Sequence, residues 1–167
     1  MFEIAGWSFI SGKSLGATAE KVPLKDESGQ IIERMVPKRK FMSRISIFPM
    51  ELDASIESED WLRLAIPQFL NYDLEQDNYL YAPSINYLKR KYEIRNAEIS
   101  EEIPFSLKRK IAEDSYSEQF TTGKLLKEGE DYVLDISVFT ARDGKSLSEG
   151  TYRSNDLMDL IDKTTES

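Results

Sequence analysis

Arg44-Ile45-Ser46-Ile47-Phe48-Pro49 alternates polar and apolar side chains and then stops on a proline, which has no N–H to give to a sheet ladder. The period of two predicts a strand. Downstream, Trp61, Leu62, Ala65, Ile66, Phe69, Leu70 and Leu74 recur at spacings of three and four, the stripe of an amphipathic helix lying on a sheet. Pro67 sits inside the stripe, where its ring opposes the carbonyl of Arg63, so the expectation is either a kink or a helix whose main body starts there. Asn78-Tyr79-Leu80-Tyr81-Ala82 reads as a second short strand, closed by Pro83. Strand, helix and strand in this order make a β-α-β unit, with its two strands parallel in one sheet.

Ser84 is placed to cap a helix carrying Ile85, Leu88 and Tyr92, and Pro104 stands in the first turn of another, with Ile103, Leu107 and Ile111 on one face. From residue 120 the period returns to two. Strands are expected over residues 120–126, 132–140 and 146–152, separated by Lys127-Glu128-Gly129-Glu130 and Arg142-Asp143-Gly144-Lys145. Asp143-Gly144 predicts a tight type I′ turn with positive φ at both central residues, hence an antiparallel meander. Tyr132, Leu134, Ile136 and Val138 alternate with Asp135 and Ser137, one face toward the core and one wet. Asn155 is positioned to cap a last helix with Leu157, Met158, Leu160 and Ile161 inward and Asp156 and Asp159 near its positive end. The fold class is α/β (α+β): a mixed sheet from the β-α-β unit plus an antiparallel C-terminal meander, with helices mainly on one face.

Residues 1–40 read as an N-terminal extension to a domain over residues 41–167. Phe2, Ile4, Trp7, Phe9 and Ile10 are strand-compatible but interrupted by Gly6, Gly12 and Gly16. Residues 22–25 and 31–35 flank Asp26-Glu27-Ser28-Gly29, a hairpin that could add to, or mask, a sheet edge. Pro37-Lys38-Arg39-Lys40 then reads as a solvated connector, with a basic targeting signal or phosphate patch as the alternative. No basic stretch followed by an apolar one opens the sequence, so no secretion signal is read there. Residues 163–167 follow directly on a helical pattern with no tail composition, which leaves a fragment of something longer as an expectation.

Composition removes many functions. The formal charge is −8 with a pI near 4.8, which repels a phosphate backbone, so nucleic acid is not an expected partner. No histidine or cysteine is present, which excludes thiol nucleophiles, imidazole bases, Ser-His-Asp triads and Cys/His zinc sites. No apolar run approaches the roughly 18–20 residues of a membrane span.

Several segments resemble the family of the TolB amino-terminal domain, with its relatives in the CsgG and LpoB group of bacterial envelope proteins. Residues 44–49 resemble its opening strand, Trp61-Leu62 through Ile66-Pro67 to Leu74 its first helix, and Tyr79-Leu80-Tyr81 its second strand. The most specific block is Thr122-Gly123-Lys124, Gly129-Glu130-Asp131-Tyr132-Val133-Leu134 and Ala141-Arg142-Asp143-Gly144-Lys145, similar to the family's glycine-bearing strand, next strand and final turn. The resemblance covers residues 41–161, and its motifs are fold motifs: Gly123 allows a bulge or a close backbone approach, and Asp143 and Gly144 serve a turn. It implies a non-catalytic interaction or scaffold module of the periplasm or cell envelope. The implied partner is another envelope protein or another domain of the same polypeptide, with self-association a further option and no cofactor.

Asp53, Glu57, Glu59 and Asp60 could suggest a carboxylate pair or a calcium loop, but acids ahead of a helix are ordinarily caps. Ser11-Gly12-Lys13-Ser14 looks like the end of a phosphate loop, yet Gly6 lies one position too far upstream and no helical pattern follows. Lys89-Arg90-Lys91 and Lys108-Arg109-Lys110 could dock an acidic partner if they faced one way; otherwise they are wet helix faces. Tyrosine is enriched where an apolar body meets a partner and its hydroxyl stays wet. Of the eight tyrosines, Tyr79, Tyr81, Tyr87 and Tyr92, joining the second strand to its helix, are the candidate partner-binding set. The alternative function is a small-molecule or glycan-binding accessory domain, which requires a concave pocket.

Overall fold

A computed structural model describes residues 19–26, 28–38, 41–77 and 79–166, apart from the side chain of Glu57. The expectations on residues 1–18, including the interrupted apolar run and Ser11-Gly12-Lys13-Ser14, lie outside the described residues, as do those on Glu27, Arg39, Lys40 and Asn78.

Strands β1 (Ala19–Lys25) and β2 (Ile31–Pro37) form the expected hairpin as an antiparallel two-stranded sheet of their own. Its turn is closed by the Asp26 carboxylate, whose Oδ1 accepts from Ser28 N, Ser28 Oγ and Gln30 N at 2.9, 2.6 and 2.8 Å. These bonds hold its pKa below the usual carboxylate value, the Ser28 hydroxyl contributing most.

The main sheet has six strands in the order β5-β3-β6-β7-β8, with β4 beside β6. Strand β3 (Ser43–Ile47) is the seam: it runs parallel to β5 (Leu80–Tyr81) on one side and to β6 (Gln119–Glu128) on the other. Strands β6, β7 (Asp131–Thr140) and β8 (Ser146–Ser154) form the antiparallel meander. Between β3 and β5 lies helix α1 (Leu62–Leu74), so the β-α-β unit is present as read. Helices α2 (Ile85–Glu93) and α3 (Phe105–Asp114) precede the meander, and α4 (Leu157–Thr165) follows it.

Two differences lie around Pro49 and Pro67. The chain does not stop at Pro49; it resumes as β4 (Glu51–Leu52), again parallel to β6. Residues 48, 49 and 50 there oppose only 122 and 123, a local bulge in the ladder. Helix α1 runs through Pro67 unbroken, because the carbonyl of Arg63 that Pro67 cannot serve accepts from Met50 N at 3.0 Å instead. Arg63 also donates through Nη1 to the Met50 carbonyl at 3.3 Å, so the bulge and the helix are tied twice.

The sheet has a core on each side. Ile45, Ile47, Leu125, Leu134, Ile136 and Val138 meet Leu62, Ile66 and Leu70 of α1 and Leu160 and Ile161 of α4. The opposite parity, Phe48, Phe120 and Phe139, is closed over by Leu88 and Tyr92 of α2 and Ile111 and Ala112 of α3. Phe105 and Phe139 stack edge to face at 4.9 Å, and Phe120 and Phe139 lie 5.6 Å apart. The face read as wet is therefore covered at its β3 end and polar toward β8. Where Asn155 was expected to cap α4, Asp156 does so, accepting from Met158 N at 2.8 Å and Asp159 N at 3.0 Å. Met158 lies outward, 53% exposed, contrary to the inward placement read from the sequence, because the buried face of the helix runs through Leu160, Ile161 and Thr164.

The β7–β8 connection is not a type I′ turn. Only Gly144 takes positive φ, at 70°, and five residues separate the strands. The Asp143 carboxylate closes the loop by accepting from Lys145 N at 3.2 Å and from the Thr140 hydroxyl, so its backbone need not enter the left-handed region. Gly144 N donates to the Thr140 carbonyl at 3.0 Å.

Candidate partner-binding surface

Strand β5 forms one edge of the sheet, with Arg44 opposite Tyr81 in the ladder to β3. Tyr79 leads into it, its N–H donating to Asp77 Oδ1 at 2.8 Å and its carbonyl accepting from Ser43 N at 2.8 Å. Tyr81 is 42% exposed, and the Arg44 guanidinium sits over its ring, 4.8 Å from the centroid. After Pro83, Ser84 caps α2 as expected, accepting from Tyr87 N at 3.3 Å. Lys91, one turn on, places Nζ 5.2 Å from the Tyr87 ring centroid.

Helix α2 is fastened to the end of α3. Lys91 Nζ donates to the Asp114 carbonyl at 3.0 Å, and Arg95 pairs with the Asp114 carboxylate. Here α3 closes in a wrapped turn: Ser115, Tyr116 and Ser117 donate their N–H groups back to Ile111, Glu113 and Ala112. Such a turn needs one residue in the left-handed region, a place usually taken by glycine or asparagine. Tyr116 holds it, with φ 56°, and the residue is 77% exposed. The chain is then gripped by β3: Glu118 N donates to the Arg44 carbonyl at 2.9 Å, and the Glu118 carboxylate accepts from Ser43 Oγ at 2.9 Å.

Tyr116 thus stands two residues from Asp114, held by α2, and two from Glu118, held by β3. Tyr81 under Arg44, Tyr87 beside Lys91 and the turn that carries Tyr116 are linked through the Arg44 carbonyl and the Asp114 backbone, and Ile94, 73% exposed, ends α2. Of the four tyrosines expected from sequence, Tyr79 and Tyr81 stand beside and on the edge strand β5 and Tyr87 stands in the first turn of α2. Tyr92 does not belong to the set: it is 1% exposed and packs against Phe48 at 6.2 Å. Burial there pushes its hydroxyl pKa well above the ordinary tyrosine value. Tyr116 and Ile94 were missed, since neither a period nor a cap motif marks them.

Gly123 is where the backbone comes close. A Cβ there would stand 2.4 Å from Met50 Sδ and 3.2 Å from the Asp135 carbonyl oxygen. The acidic segment is occupied by capping and pairing: Asp53 accepts from Ser55 N and pairs with Lys124 at 3.1 Å, Glu59 accepts from the Tyr132 hydroxyl at 2.9 Å, and Asp60 pairs with Arg63 at 3.3 Å. Among the described residues, no group of three or more acids stands in metal-binding geometry. The basic triplets do not form one face, because Lys108 is drawn inward to Glu51 at 2.9 Å and Arg109 lies along the Gly144 turn. Beneath α1, a cavity lined by Ile45, Leu70, Thr121 and Val138 encloses about 20 Å³, room for one water. No helix among the described residues is long and apolar enough to cross a membrane.

This architecture is the LpoB-like fold of the group that the sequence resembles. The lipoprotein GNA1162 from Neisseria meningitidis is similar with a TM-score of 0.55 and 11% identity, over 68% of this chain and 81% of that one. The LpoB C-terminal domain from Salmonella enterica gives 0.51 and 11%, over 68% and 83%. Its counterpart from Escherichia coli gives 0.51 and 11%, over 67% and 82%. At such identities the fold is what is shared. No family model and no curated protein matches the sequence.

Proposed function

We propose that this chain is a non-catalytic protein-binding module of the bacterial cell envelope, and that it docks another envelope protein, or another domain of its own polypeptide, through Tyr81, Tyr87 and Tyr116. One observation carries the reading: Tyr116, a bulky residue, occupies a left-handed position and is largely exposed. A tyrosine there costs about 1 kcal/mol relative to glycine, and a residue 77% exposed buries little in return. Exposed tyrosines beside an arginine are the composition of interface anchors. The fold shared with a Neisseria lipoprotein supports the envelope setting.

The test separates stability from binding. Tyr116→Gly removes the strain and the ring together, so its urea midpoint rises, by about 1 kcal/mol of stability, while retention of a discrete protein from envelope extract is lost. Tyr81→Ala weakens retention in the same way without gaining stability. Undiminished retention by both variants, or glycan binding in place of protein binding, rejects the proposal.

A further inference from the structure

The two edges of the main sheet are built differently. Strand β5 spans two residues and is followed by Pro83, a protected edge. Strand β8 spans nine, Ser146–Ser154, without a proline, and among the described residues no strand pairs with its outer side. An edge of this length offers a row of backbone donors and acceptors to another strand.

Side chains on β8 select which strand. Ladder partners alternate: Tyr152 and Gly150 stand beside Leu134 and Ile136 of the first core, whereas Glu149, Thr151 and Arg153 stand beside Ser137, Asp135 and Val133 on the opposite face. All three of the latter are exposed. Glu149 and Arg153 carry opposite charges four positions apart, on one face and equidistant from Thr151. The Arg153 guanidinium is held over that face by Glu128 and by Asp131 at 3.7 Å, with its side chain 54% exposed.

We infer that β8 pairs antiparallel with β8 of a second copy of this chain, about a two-fold axis through Thr151. In that register Glu149 of each copy faces Arg153 of the other, twice by symmetry, and Thr151 meets Thr151. An axis through residue 149 sets Glu149 against itself, and one through residue 153 does the same to Arg153. Registers between these leave each charge opposite a neutral residue. The charges that protect an edge against arbitrary strands thus make this one complementary to itself.

Sedimentation velocity on the whole chain tests this. The wild type shows concentration-dependent dimerisation. Glu149→Arg and Arg153→Glu each weaken it by about tenfold or more, because each sets like charges across the axis. The double variant E149R/R153E restores it at unchanged net charge. An equimolar mixture of the two single variants also restores it, since one copy then brings two arginines to the other's two glutamates. A wild type that stays monomeric at its highest attainable concentration, single variants that associate as the wild type does, or failure of both the mixture and the double variant to recover, overturns the inference.

Discussion

Gly123 shows how far one hydrogen atom is consequential in this fold. Met50 is fully buried, so its sulfur can move away from a methyl group added at 123 only by repacking against its neighbours, and the Asp135 carbonyl on the other side is fixed in the β6–β7 ladder. Gly123→Ala is expected to cost about 1–3 kcal/mol in urea unfolding, the range for overpacking a filled site. The sequence reading gave Gly123 as allowing a bulge or a close backbone approach, but not what approaches it, because Met50 lies in a segment read as the far side of a strand's end. Tyr116 was illegible for a related reason. The sign of φ at a helix end is written in sequence only when glycine or asparagine supplies it. Tyr92 had two readings, an inward helix position four residues after Leu88 and a tyrosine near a candidate surface, and burial decides for the first.

At the scale of elements, regular segments were readable because period and caps agree: β3, α1, β5, α2 with Ser84, α3, the meander and α4 all stand within a few residues of their expected places. Strand β4 was not readable. Two residues carry no period, and Pro49 looks like an end unless Met50 N is known to serve the carbonyl freed by Pro67. The join between α3 and β4 depends on an ion pair with a buried member, Lys108, 4% exposed, against a partly exposed Glu51. Removing the acid leaves a buried ammonium uncompensated, whereas removing the lysine leaves a carboxylate that water reaches. Glu51→Gln is therefore expected to lose about 1–3 kcal/mol and Lys108→Met distinctly less, measured by urea unfolding of each. Equal losses would assign the contribution to the lysine stem rather than its charge.

The whole molecule has an asymmetric response to pH. Asp26, Asp53, Asp143 and Asp159 are held below the ordinary 3.8, chiefly by the Ser28 hydroxyl, the Ser55 N–H, the Thr140 hydroxyl and the Lys163 ammonium respectively. A carboxylate with a lower pKa folded than unfolded adds stability that is complete above the unfolded value and vanishes as pH falls through the folded one. Tyr92 and Tyr132 are shifted the other way, by burial and by the bond to Glu59 respectively, so unfolding is favoured once pH rises past the ordinary tyrosine value of 10.0. With no histidine or cysteine, no side chain has an ordinary pKa between about 5 and 8. The urea midpoint is expected to stay level across that interval, to drop as pH falls below 3.8, and to decline again above 10, less steeply in Tyr92→Phe.

Strand β3 lies at the seam between the parallel and antiparallel parts of the sheet, and Ile45 must find Gln119 to take its place. The meander needs only its neighbours and two short loops, whereas everything built on β3 needs a strand made much later. On a ribosome the early segments emerge first and have nothing permanent to lie against. They stay open to chaperones, and to wrong partners, until the meander has left the exit tunnel.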